Sequence, residues 1–391
     1  MKKKIMSYGV FLEKKSTEMP LPQDVLDIAM AYTVAGKEIY VVGGAVRDFR
    51  KGLEPKDYDL VTNALPEESK QILKGFRVSD EQGKNFGVLR VYTESEPEGY
   101  EIASFRRDIA KGRDTKGEDQ KVEMGPDVTI EDDVMRRDLT MNALFYDIAK
   151  KEIVDLVGGM DDISGNQIRA VGDASQRFVE DRLRIMRVFR FAARTNGIIE
   201  EKTADAIRKD NRLRDVGSTD DVSQERIWEE MMKAWKQAKD YTQYLSYFKE
   251  FDMWSQVFPG VKVSDPVNSA DFSVVIASLL RDNPSDYLDK KLVQDFRIDT
   301  SLAKKIVFLV SLRDFDAEKV LDYWKKRQSS GISDQTILEW LTKTAVERQD
   351  VIKFVDWKPS VKSEELINKG FAGKALGEEI RRLEVENFKG K

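Results

Sequence analysis

Asp57 and Asp59 stand one residue apart in DYDLVT, a run of extended character that follows the strand-like EIYVV and the turn GGAVRD. Alternate side chains of a β-strand share a face, so this spacing points both carboxylates the same way. Like charges held that close raise the free energy of the site unless a cation lies between them. The carboxylate pair therefore implies a metal, and Gly43 and Gly44 imply what that metal faces. A Gly-Gly turn between strand and helix leaves backbone N–H groups open to a phosphate and removes the Cβ atoms that would block its approach. Arg47, in the same motif, adds a planar fork of donors. Phosphate and metal together describe nucleotidyl transfer, with one ion activating a hydroxyl and a second stabilising the pyrophosphate that leaves. The plain alternative is a surface turn with two solvated aspartates, and the GGAVRD motif just upstream disfavours it.

Other residues are candidates for the same site. Glu101, in the extended run YEIASF, reads equally as a third ligand on a neighbouring strand or as a solvated edge-strand carboxylate. In EDRLRIMR, residues 180–187, a continuous helix sets Asp181, Arg184 and Arg187 three apart on one face. As an intrahelical ion pair, Asp181 and Arg184 are worth about 0.2–0.5 kcal/mol. As readers of a nucleobase they are worth more. Cytosine and adenine each present an exocyclic amine beside a ring-nitrogen acceptor, so Asp181 accepts from the first and Arg184 donates to the second. Uracil and guanine reverse that pattern, and bidentate discrimination of this kind amounts to roughly 1–3 kcal/mol. In RRDLTMNAL, Asp138 can accept from a ribose hydroxyl while Arg136 and Arg137 reach phosphates or a base edge. The same stretch also reads as a helix start, with Asp138 as N-cap and Leu139 and Met141 in the core.

Composition narrows the chemistry. Among 391 residues there is neither cysteine nor histidine. Thiolate nucleophiles, disulfides, imidazole bases and imidazole metal sites are thereby excluded, which leaves carboxylates and a hard cation such as magnesium. A hydrophobic content of 41% with 35% charged residues describes an ordinary globular protein. There is no apolar run long enough to span a bilayer and no export signal, so a cytoplasmic location is expected. The net charge of −5 argues against strong non-specific binding to nucleic acid, although FRRDIAKGRDTK and EDRLRIMRVFRFAAR can each form a local positive surface.

The elements that must position these residues come first in the chain. LPQDVLDIAMAYTVAG has helical spacing, as do LPEESKQILKG and IEDDVMRRDLTMNALFYD. EIYVV, DYDLVT, FRVSD, FGVLRVYT, YEIASF and a pair within LFYDIAKKEIVDL read as strands. Residues 106–127 are polar and rich in Gly, Asp and Lys, and read as a loop. From about Asp173 on, helical patterning dominates and holds all six tryptophans, which read as packing residues. The result is a mixed α/β head followed by a long helical body.

Taken together and in this order, the pieces resemble the class II tRNA nucleotidyltransferase and poly(A) polymerase family, which includes the CCA-adding enzymes. GGAVRD with DYD is similar to the family's first catalytic motif, RRDLTMNAL to its ribose-reading motif and DLVGGMDDI to its hinge-like glycine motif. EDRLRIMRVFRFAAR is similar to its nucleotide-selecting helix and SQERIWEEMMK to the motif that buttresses that helix. The likeness covers about residues 38–233; later only KGFAGKALGEEIRRLE is similar.

The resemblance implies an α+β nucleotidyltransferase-type head, a small mixed sheet with helices, followed by all-α neck, body and tail domains. An N-terminal extension would occupy 1–20, the head 21–150, the neck 151–240 and the tRNA-binding body and tail 241–391. It implies Mg2+ on Asp57 and Asp59 with Glu101 as a further ligand. It implies nucleotide binding by Gly43, Gly44, Arg47, Arg136, Arg137, Asp138, Asn142, Asp181, Arg184 and Arg187. Residues 106–121 fall where the family carries a flexible loop tied to the switch from adding C to adding A. The implied activity is template-independent addition of CCA to the acceptor arm of tRNA from CTP and ATP. Bacterial poly(A) polymerases carry a basic GRRF-type segment where this chain has LKGFRVSDEQGKNFGVLRV, a departure that favours a tRNA enzyme. Addition of poly(A), of CC or of A alone are the alternatives within the family. A catalytically idle RNA-binding protein on the same scaffold is the alternative outside it.

Overall fold

The computed structural model describes residues 18–80, 87–108, 122–213, 222–346 and 348–390. Its contacts divide the chain into two units, one of residues 1–184 and 197–209, the other of residues 185–196 and 210–391.

The first unit is built on seven strands: β1 (Ile39–Val42), β2 (Asp59–Thr62), β3 (Arg77–Ser79), β4 (Val88–Tyr92), β5 (Tyr100–Ser104), β8 (Phe145–Asp147) and β9 (Glu152–Val154). They lie in the order β3-β4-β5-β2-β1-β8-β9. β2 and β5 run parallel, and the other neighbours are antiparallel. IYVV forms β1 because a central strand covered on both faces needs an unbroken apolar run, and all four residues are buried. Before it comes α1 (Gln23–Val34), which buries Val25, Ile28, Ala29 and Tyr32 at helical spacing. After β1 the chain turns at Gly43 into the short α2 (Gly44–Arg50), and α3 (Pro66–Ile72) follows β2. Tyr40, Val42, Val61, Phe105, Val134 and Phe145 belong to one core cluster beneath the sheet.

β6 (Arg107–Asp108) and β7 (Val122–Glu123) pair antiparallel where the sequence reads as loop throughout. The expected flexible loop lies, from 109 on, outside the described residues, as does the N-terminal extension up to residue 17. Helix α4 (Ile130–Met135) starts on a Thr129–Asp132 capping box. It ends well before the helical pattern does, and a 3-10 turn over Thr140–Asn142 leads into β8. Asp138 is therefore not an N-cap: the residue before that turn is Leu139. Leu139 and Met141 are buried as expected. The glycine motif folds as a carboxylate-capped turn into α5 (Gly159–Ser164), with Asp155 accepting from the N–H groups of Val157, Gly159 and Met160 at 3.2, 2.9 and 2.8 Å. A Cβ on Gly159 would lie 2.2 Å from the Thr140 carbonyl oxygen, so only glycine permits this approach. A two-stranded parallel sheet, β10 (Gln167–Ile168) with β11 (Ile198–Ile199), and the helices α6 (Ala174–Glu180) and α8 (Glu201–Lys209) complete the unit.

Two expectations about local structure are corrected. β2 begins at Asp59, so Asp57 and Tyr58 precede the strand. The helix expected through 180–187 is broken: α6 ends at Glu180, α7 (Leu183–Thr195) begins three residues later, and Asp181 between them has φ −148° and ψ 104°. Its carboxylate accepts from the Leu183 N–H at 3.1 Å and its carbonyl from the Arg184 N–H at 3.0 Å. A short acidic side chain that can cap the next helix competes with continuing the last one.

The second unit takes α7 from Ile185 onward, then α9 (Gln224–Gln237) and a succession of helices ending with Gly373–Gly390. Its described residues contain no strand. Five of the six tryptophans pack as expected: Trp228 and Trp235 lie against Phe272 at 5.7 and 4.9 Å, Trp254 stacks between Phe248 and Phe258, and Trp340 and Trp357 are buried. Arg190 of α7 is bonded to Glu230, within SQERIWEEMMK, and, at 2.8 Å, to Gln237 further along α9, which ties the two helices together. A mixed-sheet head followed by helices is the expected fold class. Residues 151–184 share the unit of the sheet rather than that of the later helices.

Candidate active site

The register places Val42 of β1 opposite Asp59, so the GG turn leaves the sheet beside the first residue of β2. Across β2 the parallel pairing starts at Leu60 with Ile102, one residue past Asp59 and Glu101. Asp57 and Asp59 are both exposed at this edge. The protein packed around Asp59 holds its carboxyl above the usual range, the Glu101 and Asp57 charges add to the effect, and Arg137 opposes it. Glu101 is ion-paired with Arg90, its cross-strand partner on β4. Among the described residues no three acidic side chains form a metal-holding group. Asp57 and Asp59 nevertheless fit a hard divalent cation: the donors are carboxylate oxygens, and the Glu101 and Asp57 charges that add to the effect of burial on Asp59 are ones a cation neutralises.

The glycines and Arg47 are placed differently from expectation. Gly43 has φ +67° and ψ −118°, a backbone state that favours glycine, but its N–H donates to the Leu144 carbonyl at 3.1 Å instead of facing outward. A Cβ on Gly44 would meet the Arg47 guanidinium at 3.7 Å. Arg47 is only 4% exposed. Its Nη1 donates to Asn142 Oδ1 at 2.7 Å and its Nε to Asp48 Oδ1 at 2.8 Å, so the guanidinium is turned into the protein and is no open phosphate fork.

Arg137 is the cation at the carboxylate edge. Its Nη1 would lie 3.6 Å from a Cβ on Gly43, and its guanidinium sits over the Phe145 ring at 4.7 Å. Asp133, 1% exposed, accepts from its Nε and Nη2 at 3.2 and 2.9 Å and from the Arg106 N–H at 3.2 Å. Burial first, and then the Arg136 charge, push the Arg106 guanidinium down to about 10. Next along the chain, Asp138 Oδ1 accepts from the Leu139 N–H at 2.8 Å and from Asn142 Nδ2 at 3.3 Å.

A second cluster gathers around Asp108. Arg136 donates to it at 3.0 Å, and Arg184 and Arg177 lie 3.8 and 4.0 Å from it. Arg184 also donates to Glu180 at 2.9 Å and to the Arg177 and Arg136 carbonyls at 3.2 and 3.1 Å. The structure thus joins Arg184 to Arg136, while Asp181 lies on the break between helices and shares no helix face with it. Arg187 belongs to the second unit, where its guanidinium lies 5.9 Å from the Phe191 ring centroid. Asp133, Asp108, Glu180 and Arg177 belong to none of the expected sets. The i, i+4 spacing of Asp133 to Arg137 and of Glu180 to Arg184, and the i, i+3 spacing of Arg177 to Glu180, are visible in the sequence; among the described residues Asp108 pairs only with distant ones.

Comparison with known proteins bears on the family and the fold. Residues 39–169 match the family model described as the poly A polymerase head domain. The chain is 32% identical over 330 residues to the CCA-adding enzyme of Lactobacillus helveticus, covering 82% of this chain and 68% of that protein. It is 28% identical over 307 residues to poly(A) polymerase I of Salmonella typhimurium, covering 77% of this chain and 62% of that one. The chain thus spans about three fifths of the length of that poly(A) polymerase. In fold it is similar to the Bacillus stearothermophilus CCA-adding enzyme in complex with CTP, with a TM-score of 0.66, 23% identity, and 94% and 93% of the two chains covered. Among the described residues no helix is long and apolar enough to cross a membrane.

Proposed function

The chain belongs to the class II CCA-adding enzyme and poly(A) polymerase family, and from that premise we propose that it adds CCA to the 3′ end of tRNA from CTP and ATP without a template, releasing pyrophosphate. The observation that carries this reading is the 32% identity to a CCA-adding enzyme sustained over 330 residues, well beyond the 39–169 head. In line with it, solved relatives of the same fold include a Thermotoga maritima CCA-adding enzyme complexed with tRNA.

In this mechanism Asp57 and Asp59 hold a divalent cation, magnesium by the hardness of its carboxylate donors. When bound, one such ion would acidify the attacking 3′ hydroxyl and a second would screen the charge of the departing pyrophosphate. Arg137, fixed over Phe145 by Asp133, supplies positive charge beside Asp59 where the triphosphate gathers negative charge. Asp138 accepts from the ribose hydroxyl. Asp181 and Arg184 read the base, Arg184 exchanging Glu180 or the Arg136 carbonyl for the ring nitrogen. The helical unit grips the acceptor arm through phosphates, so tRNA affinity falls with salt.

Poly(A) addition is the second reading, favoured by the likeness to the Salmonella enzyme. A tRNA transcript lacking its 3′ CCA separates the two when extended with magnesium and CTP, ATP or both. Two residues with CTP and one more with both establish CCA addition. A long ladder with ATP alone makes the protein a poly(A) polymerase, and no extension in any mixture returns it to the class of RNA-binding proteins.

A further inference from the structure

We infer that Arg47 and Asn142 are positioning residues that set the preference for ribose over deoxyribose, acting through Asp138. The inference rests on the proposed ribose contact of Asp138 and adds what holds that carboxylate in place.

Four side chains form one line of hydrogen bonds. Asp48 accepts from Arg47 Nε at 2.8 Å, Arg47 Nη1 donates to Asn142 Oδ1 at 2.7 Å, and Asn142 Nδ2 donates to Asp138 Oδ1 at 3.3 Å. The middle of the line is sealed: Arg47 is 4% and Asn142 8% exposed, and Thr140 and Met141 beside Asn142 are 1% and 0%. A carboxamide has an acceptor end and a donor end, and a guanidinium has only donors. Arg47 therefore decides which way the amide faces. With its oxygen on Arg47, the amide must present N–H to Asp138; reversed, two sets of donors would meet in a buried space, which costs more than an exposed mismatch. The Leu139 N–H adds a second fixed donor to the same Asp138 oxygen at 2.8 Å. A carboxylate held by two donors keeps one orientation toward a hydroxyl. GGAVRD and RRDLTMNAL, 95 positions apart at Arg47 and Asn142, are thus parts of one device. The arginine that the sequence offers for phosphate serves the sugar.

The test uses the full chain and a tRNA transcript ending in CC. kcat and KM are measured for ATP and for 2′-deoxy-ATP with the unaltered chain and with Asp138→Ala, Asn142→Asp, Arg47→Lys and Arg47→Met. Asn142→Asp keeps the side-chain volume, and Arg47→Lys keeps a buried cation opposite Asp48. The expected result is a fall of about tenfold or more in the ATP to deoxy-ATP ratio of kcat/KM for all four, carried mainly by the KM for ATP. Combining Arg47→Met with Asn142→Asp should lower the ratio no further than the worse single change, because both interrupt one line. If Asp138→Ala lowers the ratio while the Arg47 and Asn142 variants raise both KM values equally, the ribose contact stands and the positioning role is overturned. If Asp138→Ala leaves the ratio unchanged, the ribose contact falls and the positioning role falls with it.

Discussion

Arg47 and Arg190 are each 4% exposed; Arg47 donates to its neighbour Asp48 and to the distant Asn142, and Arg190 donates to Glu230 and Gln237 of α9. Their networks differ in where they end. Arg190 meets Glu230, itself 1% exposed, and Gln237, so charge is balanced inside the helical unit and the network closes on itself. Arg47 leads through Asn142 to Asp138, beside an edge where Asp57 and Asp59 are exposed and Asp59 is pushed toward holding its proton. Similar burial and similar bonds thus close a network within the protein in one place and, in the proposed mechanism, align a reacting edge in the other. The helical pair is balanced where it stands, whereas the sheet edge carries two exposed carboxylates, one of them held above its usual range.

The sharpest way to break this contrast is at the open edge. Asp57→Ala and Asp59→Ala should each bring tRNA extension to background, a fall on the order of a thousandfold or more, with tRNA retention on a filter unchanged. Residual extension near the normal rate would move the metal elsewhere. At the closed network, Glu230→Ala should leave Arg190 buried and uncompensated and lower unfolding stability by about 3–5 kcal/mol in urea titrations. A loss below about 1 kcal/mol would deny that the pair is sealed. Asp133→Asn removes the anchor of Arg137, and kcat/KM for both nucleotides should drop about 10–100-fold, by analogy with partners that orient metal ligands. Exchanging Asp181 and Arg184 for groups of opposite hydrogen-bond pattern should relax the choice of C and A over U and G by roughly 1–3 kcal/mol, read from misincorporation. Unchanged choice would sink their role. The smallest effect concerns Asp59 itself. Its proton affinity is raised in the folded chain, so its ionised form opposes folding. That cost is fully present above the raised pKa and absent below the unfolded value. Without divalent cations near neutral pH, Asp59→Asn should therefore melt slightly higher than the unaltered chain, and magnesium should narrow the gap.

How far the sequence revealed this arrangement depended on the range of the forces involved. EIYVV, FGVLRVYT and the pair in LFYDIAKKEIVDL were legible as strands because period and composition are local. The start of the helix at Ile130 was legible from its helical spacing, whereas its end at Met135 was not, since that spacing runs on into a 3-10 turn. No glycine or proline marks the break at Asp181, whose carboxylate caps the start of the next helix instead. Arg47 read as a phosphate ligand because Asn142, its true neighbour, is 95 positions away. Asp57 and Asp59 stood out as candidates because two carboxylates one residue apart are a local signal, although the shared strand face that this spacing suggested is not formed; Asp108 escaped because its partners come from α4's end, α6 and α7.

Gly159 has a consequence for inheritance. Its missing Cβ lets α5 press on the Thr140 carbonyl, while Thr140 donates to Asp162 at 2.5 Å and Arg169 grips the same carboxylate at 2.8 Å. Segments 136–144 and 155–169 are therefore one interlocked part made from two stretches of chain. A chimera that grafts either stretch from a relative alone would import a mismatched half, whereas grafting both would carry the fit across intact. Recombination should treat them as a cassette, and a side chain arriving at position 159 has to arrive with a new turn at 140.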